Sequence, residues 1–104
     1  MPANDSLTLS PATDIWETEQ AVHLSALMPG VGTEDVAVTC ENSLLTIKGT
    51  TQRGDQTTHF ARTFRLNSQI NTSDIKATAR NGEITLVLAK HQPPQPKQIE
   101  VTAG

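Results

Sequence analysis

Apolar and polar residues alternate along most of the chain, most clearly between residues 75 and 90. Two such runs flank Asn81-Gly82, a dipeptide typical of a two-residue type I′ turn because both residues tolerate positive φ. The pattern therefore predicts a β-hairpin whose apolar side chains share one face: Ile75, Ala77 and Ala79 in its first strand, and Ile84, Leu86 and Leu88 in its second. The small Ala77 and Ala79 leave a shallow trough in which apolar side chains of another segment can sit.

Other alternating segments predict the remaining strands: about residues 14–17, 21–28, 36–40, 44–51 and 57–66. Breaks rich in Pro, Gly, Asn or other polar residues separate them, as expected of turns, and residues 67–74 are predicted to be a polar loop. No apolar 3.6-residue period extends beyond a turn or two, so no long helix is expected. About seven short strands without a helix predict an all-β fold, an antiparallel β-sandwich.

The chain divides into three parts. Residues 1–13 are polar, contain Pro2 and Pro11 and show neither period, which predicts a short mobile N-terminal arm. Residues 14–90 make the sandwich, and residues 91–104 make a Pro-rich linker and a tail. Three prolines favour extended polyproline II in the linker, and the tail carries Ile99-Glu100-Val101, whose two apolar side chains point the same way.

At 104 residues the chain is long enough for one domain with a single modest core. Only 3% of its residues are aromatic, so aliphatic side chains must build that core. A net charge of -3 without a Lys/Arg cluster argues against nucleic acid or an anionic membrane as the partner. No stretch suits a transmembrane span and the N-terminus lacks the progression of a signal peptide, so a cytoplasmic location is expected.

No group of residues marks an enzyme, a cofactor site or a metal site. His23, His59 and His91 are scattered rather than placed at ligand spacing, and no nucleophile elbow or glycine-rich phosphate loop occurs. Arg53-Gly54-Asp55 is interpreted as a turn. We therefore expect no catalytic residue, no cofactor and no bound metal.

Cys40 and Arg62 both fall on faces that the pattern predicts to point inward. Cys40 follows Val36 and Val38 on one face, which predicts a small buried hydrophobe rather than a redox group. As the only cysteine it forms no internal disulfide, in keeping with a reducing cytoplasm. Arg62 shares the apolar face of its strand, so its guanidinium must reach a strand edge, a carboxylate or a subunit interface.

Six motifs follow one another in order over about residues 11 to 101. They are Pro11 with Asp14-Ile15-Trp16-Glu17, Met28-Pro29-Gly30-Val31 with Glu34-Asp35, Leu45-Thr46-Ile47-Lys48-Gly49, Phe60-Ala61-Arg62-Thr63-Phe64-Arg65-Leu66, the stretch from Ala77 to Ile84, and Ile99-Glu100-Val101. In this order they resemble the motifs of the small heat-shock proteins, whose common part is the α-crystallin domain, an immunoglobulin-like β-sandwich. The stretch around Asn81-Gly82 is the most specific of the six.

The resemblance implies an ATP-independent chaperone of the holdase type, which binds partly unfolded client proteins and prevents their aggregation. It also implies that Ile99 and Val101 dock into a groove between the strand at 35–41 and the strand at 74–80, usually on a neighbouring subunit. The groove candidates agree with the trough described above: Val36, Val38, Ala77 and Ala79. In polyproline II the linker reaches roughly 25 Å, at about 3.1 Å per residue, which permits docking on the chain's own groove or a neighbour's.

Two of the departures from the family pattern bear on assembly. Bacterial and plant members usually carry a longer insertion between Gly49 and Phe60 that bears an exchanged strand, whereas a plain hairpin is predicted here. The N-terminal arm offers little apolar surface beyond Leu7 and Leu9, which predicts a dimer or small oligomer, or co-assembly with a longer-armed relative. The alternative function is that of a CS-domain-like co-chaperone or adaptor, or of a partner subunit with little holdase activity of its own.

Overall fold

The computed structural model describes residues 5–92 and 98–104 of the chain. Its strands are β1 Asp5–Leu9, β2 Ala12–Glu17, β3 Ala21–Leu27, β4 Val36–Glu41, β5 Leu44–Arg53, β6 Gln56–Arg65, β7 Ile70–Arg80 and β8 Glu83–Lys90. They form two four-stranded sheets, in the orders β1-β6-β5-β4 and β2-β3-β8-β7, which enclose the core. The structure confirms the predicted all-β fold, an immunoglobulin-like sandwich with no α-helix among these residues.

The core is aliphatic, as the composition requires. Its largest fully buried side chains lie on β5, on β8 and just after β3: Met28, Leu45, Ile47, Ile84, Leu86 and Leu88. Burying one such side chain stabilises the fold by about 1.5–3 kcal/mol. Gly49 follows Leu45 and Ile47 on the inward face of β5, and a Cβ added there would lie 2.8 Å from the Met28 sulfur. Glycine at this position therefore makes room for Met28.

The β7–β8 turn confirms the predicted hairpin. Asn81 and Gly82 both have positive φ, 51° and 79°, as a type I′ turn requires. The Met28 N–H donates a hydrogen bond to the Gly82 carbonyl over 2.7 Å, so the turn contacts the end of β3. This contact joins the hairpin to the turn that leads out of β3.

The segment between β5 and β6 is a plain hairpin, as predicted for this short loop. Arg53 pairs with Gln56, and the intervening Gly54 has a φ of 59°. The two strands pair along their whole length, from Arg53 and Gln56 to Leu44 and Arg65. The chain therefore has no insertion at this position from which an extra strand could extend.

The structure differs from the prediction for residues 1–13. Within that stretch Asp5–Leu9 forms β1, which pairs in parallel with residues 56–60 of β6, and Ala12 already belongs to β2. The expectation of an arm without regular structure is wrong for these residues, and the sandwich is not antiparallel throughout. Two leucines at alternate positions are too short a pattern to predict a strand. β1 forms because the open edge of β6 supplies partners for its backbone hydrogen bonds.

The strand β7 begins earlier than predicted, inside the expected polar loop at 67–74. It runs from Ile70, and its pairing with β8 is irregular between Ile70 and Ile75. Within this irregularity the Ser73 N–H donates to the Asn71 side-chain oxygen over 3.0 Å. An alternating pattern cannot reveal a strand across such a bulge, because the shift in register moves the side chains to the other face.

Cys40 is exposed, so its predicted burial is wrong. Alternation does place it on the same face of β4 as Val36 and Val38, which pack against the core. However, β4 is the outer strand of its sheet, and no part of the described chain covers it at Cys40. Alternation specifies the face of a strand, whereas burial also requires a facing element.

Candidate functional site

A groove lies between β4 and β7, which are the outer strands of the two sheets on the same side of the sandwich. It has a volume of about 250 Å³ and is lined by the four residues predicted for it, together with Thr33, Thr78 and Ile84. The structure therefore brings Val36, Val38, Ala77 and Ala79 together.

The depth of the groove follows from the sizes of these side chains. Val36 and Val38 are half-buried on β4, and Ala79 is half-buried on β7. Ala77 has only a methyl group and is exposed, and the fully buried Ile84 of β8 forms part of the lining. Small residues on β7 thus leave open a space that larger side chains would fill.

The groove is apolar and uncharged. Its polar lining groups are the hydroxyls of Thr33 and Thr78, and no acidic or basic side chain lines it. Such a surface takes aliphatic side chains, and the outer strands beside it can pair with an extended backbone. The arrangement is suited to an extended segment with apolar residues at alternate positions.

The tail does not occupy the groove in the structure. Ile99 is 79% exposed and Val101 is 90% exposed, and residues 98–104 have no regular secondary structure. The predicted polyproline II linker falls mainly on residues 93–97, outside the described residues. The docking of Ile99 and Val101 therefore stays a prediction.

Arg62 escapes burial by lying at an open strand edge. It is exposed, and its guanidinium carbon lies 4.7 Å from the centroid of the Phe64 ring, a cation–π distance. Among the described residues the one ion pair joins Lys90 and Glu17, so Arg62 has no carboxylate partner there. A role for Arg62 at a subunit interface stays a prediction.

Sequence reasoning missed an apolar cavity of about 140 Å³ on the opposite side of the sandwich. It lies between β2, β3 and the end of β6, and its lining includes Ile15, Val22, Leu24, Phe64 and Leu66. The available signal was the alternation that placed Phe64 and Leu66 on an apolar face. The sequence does not reveal that, among the described residues, no strand of the other sheet lies over Ile15.

The described residues contain no cluster of three His, Cys, Asp or Glu side chains that could hold a metal ion. None of their helices is long and apolar enough to cross a membrane. Besides the groove and the cavity, the described residues form a wider pocket of about 500 Å³ beside β1 and the β5–β6 hairpin, whose lining includes Leu9, Arg53 and Phe60.

Fold and groove together define a class: immunoglobulin-like β-sandwiches that keep an apolar groove between their outer strands. The model of the Hsp20/alpha crystallin family matches residues 14–102, nearly the whole chain. The chain belongs to the Hsp20/alpha crystallin family. Members of this family are ATP-independent chaperones and not enzymes.

Individual relatives agree with the family match. A probable 15 kDa heat shock protein of Leptospira interrogans is 35% identical over 103 residues, which cover 89% of this chain and 78% of the relative. The spore protein SP21 of Stigmatella aurantiaca is 29% identical over 90% of this chain, which spans 63% of that relative.

Solved structures show the same fold. Heat shock protein 16.0 from Schizosaccharomyces pombe matches with a TM-score of 0.68 and 30% identity, over 89% of this chain and 98% of that chain. A small heat-shock protein from Xylella fastidiosa matches with a TM-score of 0.72 and 24% identity, over 89% and 96% of the two chains. The second likeness concerns the fold alone.

Proposed function

We propose that this protein is an ATP-independent holdase that binds partly unfolded proteins and prevents their aggregation. The observation that carries the proposal is the apolar groove formed by Val36, Val38, Ala77 and Ala79 in a chain of this family. An uncharged groove beside open strand edges can bind many extended segments, because backbone hydrogen bonds supply affinity without demanding one sequence. Partly unfolded chains expose segments of that kind.

Ile99 and Val101 are the proposed occupants of the groove when no client is bound. They lie two residues apart, so in an extended tail both side chains enter the groove while Glu100 points away. Burial contributes roughly 1.5–3 kcal/mol for each side chain, reduced by the entropy of ordering the tail. The resulting attachment is weak and reversible, which suits a segment that competes with clients.

The tail also gives a route to assembly. A linker that reaches roughly 25 Å in polyproline II lets the tail bind its own groove or that of a neighbour. We propose a dimer or small oligomer of this chain, or co-assembly with a longer-armed relative. The plain β5–β6 hairpin supports a small assembly, because it provides no strand for exchange between subunits. The proposed compartment is the reducing cytoplasm, which the single free cysteine supports.

Light scattering of an aggregating client tests the holdase function. Reduced α-lactalbumin is allowed to aggregate with and without this protein, in the absence of nucleotide, with an equal mass of an inert protein as the control. We expect scattering to fall as the ratio of this protein to the client rises. Scattering that matches the inert control at every ratio would contradict the proposal.

The short hairpin also favours a second candidate, a partner subunit or adaptor with little holdase activity of its own. The same assay separates the two functions. A partner subunit would leave client scattering unchanged alone and would lower it only when mixed with a longer-armed family member. The family match favours the holdase.

A further inference from the structure

The 500 Å³ pocket beside β1 has a strand floor and a turn as its opposite wall. The floor belongs to β1, β6 and β5, and no residue of β2, β3, β7 or β8 is among the described residues that line the pocket. The opposite wall is the turn after β3, at Pro29 and Gly30. The Thr51 hydroxyl donates a hydrogen bond to the Gly30 carbonyl over 2.9 Å, which joins this wall to the floor. The pocket is therefore held open between two connected parts of the sandwich.

The floor of the pocket changes from apolar to cationic along the strands. At one end Leu9 lies opposite the buried Phe60 in the β1–β6 register, yet Leu9 itself is 45% exposed. Four residues away along β6, Gln56 pairs with Arg53 of β5. These two rows lie about 14 Å apart, at roughly 3.4 Å per residue. The pocket thus has an apolar end and a cationic end.

The charge of the pocket is that of a single arginine. Arg53 is the one charged residue among those that line it, and the remaining polar side chains are threonines and glutamines. Asp55 follows in the same turn but does not line the pocket. Among the described residues the one ion pair joins Lys90 and Glu17, so Arg53 has no carboxylate partner there. An arginine beside apolar surface favours a ligand that combines a negative charge with an apolar body.

We propose that this pocket binds a free amphiphilic carboxylate of medium chain length, such as octanoate. Its carboxylate accepts hydrogen bonds from the Arg53 guanidinium, whose planar fork matches a carboxylate, and its alkyl chain lies over Leu9 and Phe60. The volume of about 500 Å³ is in the range of small-molecule sites. This site is separate from the groove between β4 and β7, and the proposal does not depend on the holdase function.

Such a ligand also fastens β1 to the sandwich. β1 is the outermost strand of its sheet and pairs with β6 alone, and its Leu7 and Leu9 are each 45% exposed. A ligand between Leu9 and the Pro29–Gly30 turn adds a contact that is lost whenever β1 opens. Bound ligand should therefore slow the local opening of this strand.

Backbone amide shifts locate the ligand. The isotope-labelled full chain is titrated with octanoate, with octylamine, which has the same alkyl chain and the opposite charge, and with acetate, which has the carboxylate alone. We expect saturable shifts at Leu9, Phe60 and Arg53 with octanoate only, with a Kd of about 1 mM or lower. A control compound that matches octanoate, or octanoate shifts confined to Val36 and Ala79 in the groove, would overturn the proposal.

Removal of one charge tests the role of Arg53. Arg53→Gln should raise the Kd of octanoate about fivefold and should remove the preference for octanoate over octylamine. The matched control is Arg80→Gln, which makes the same change in net charge at an exposed arginine of β7 outside the pocket. We expect this control to change the Kd by less than about twofold. Equal effects of the two substitutions would show a general charge effect and overturn the proposal. If Arg53→Gln fails to fold by circular dichroism, the wild-type comparison of octanoate with octylamine decides the outcome.

Amide hydrogen exchange tests the fastening of β1. With octanoate at ten times its Kd, exchange at residues 6–9 should slow roughly tenfold, because only the closed strand completes the pocket. Exchange at Cys40 and Glu41, at the end of the outer strand β4, is the internal reference and should not change. Unchanged exchange in β1, or equal slowing in β1 and β4, would overturn the proposal. Client scattering is measured separately, so failure of the holdase function and failure of this site are distinguishable.

Discussion

At Gly82, both the backbone conformation and a close backbone contact exclude a side chain. Its φ of 79° lies in the left-handed region, and a Cβ added to it would lie 2.9 Å from the Met28 carbonyl oxygen. The neighbouring turn backbone holds that oxygen, so it cannot move away as the end of a flexible side chain would. Glycine is therefore required both for the turn and for its contact with β3.

Gly82→Ala should destabilise the fold by about 2–4 kcal/mol, because a strained φ and a backbone clash add together. Gly54→Ala is the matched control, since Gly54 also has a positive φ of 59° but no atom within 4 Å of an added Cβ. We expect a cost of about 1 kcal/mol there. Urea unfolding of both variants measures the difference, and equal costs would show that the contact with Met28 adds nothing.

The exposure of Cys40 gives a second test at a single residue. An exposed thiol reacts at the rate of a small model thiol, whereas a buried thiol reacts only when the chain opens. We expect a thiol-specific chromogenic reagent to label one thiol per native chain without a lag. Labelling that requires denaturant would contradict the exposed position on β4.

At the level of elements, the tail is separable from the sandwich. Ile99 and Val101 are exposed and belong to none of the strands that build the core. Changes to the tail should therefore act on association rather than on folding. The groove, by contrast, is built by two strands of the sandwich, β4 and β7, and the small side chains of β7 leave it open.

Ile99→Ala/Val101→Ala should lower the oligomer mass and leave the midpoint of urea unfolding unchanged. The physical reason is that truncation removes most of the apolar surface that the tail can bury in a groove. Glu100→Ala is the control, because its side chain points away from the docked face. Multi-angle light scattering over a dilution series measures the mass, and a double variant with the parent's mass would leave the groove without this occupant.

At the scale of the whole molecule, the tail residues Ile99 and Val101 are 79% and 90% exposed, whereas the other large exposed apolar side chains of the described residues lie on strands and are 39–53% exposed. The described arm offers Leu7 and Leu9, which are exposed beside β6, and the β5–β6 hairpin offers no exchangeable strand. The tail is then the main proposed link between subunits. A single weak link of this kind favours small assemblies that dissociate on dilution.

We therefore expect a dimer or a small oligomer whose mass falls at low concentration. Light scattering at several concentrations checks this directly, with Ile99→Ala/Val101→Ala as the reference for subunits without the tail link. A mass above about a dozen subunits that does not change on dilution would contradict this expectation, since tails with an affinity this weak would separate.

The features that could be predicted from the sequence depend on residues close together in the chain. Asn81-Gly82 specified its turn, because positive φ is a property of those two residues. Alternation placed Val36, Val38, Ala77 and Ala79 on inward faces, and the family resemblance related the two strands that line the groove. The aliphatic core, the plain β5–β6 hairpin and the all-β fold followed from the same local patterns.

The features that could not be predicted depend on what faces each strand across the sandwich. Cys40 has the same alternation as Val38 but is exposed, because β4 is an outer strand and nothing in the described part of the chain covers that end. Leu7 and Leu9 form a strand only because β6 has an open edge beside them. Ile15 is exposed because β1 ends at Leu9 and the chain crosses at Pro11 to the other sheet, so β1 does not extend over Ile15. Alternation sets the direction in which a side chain points. Its burial depends on residues that are distant in sequence, and therefore on how the two sheets pack.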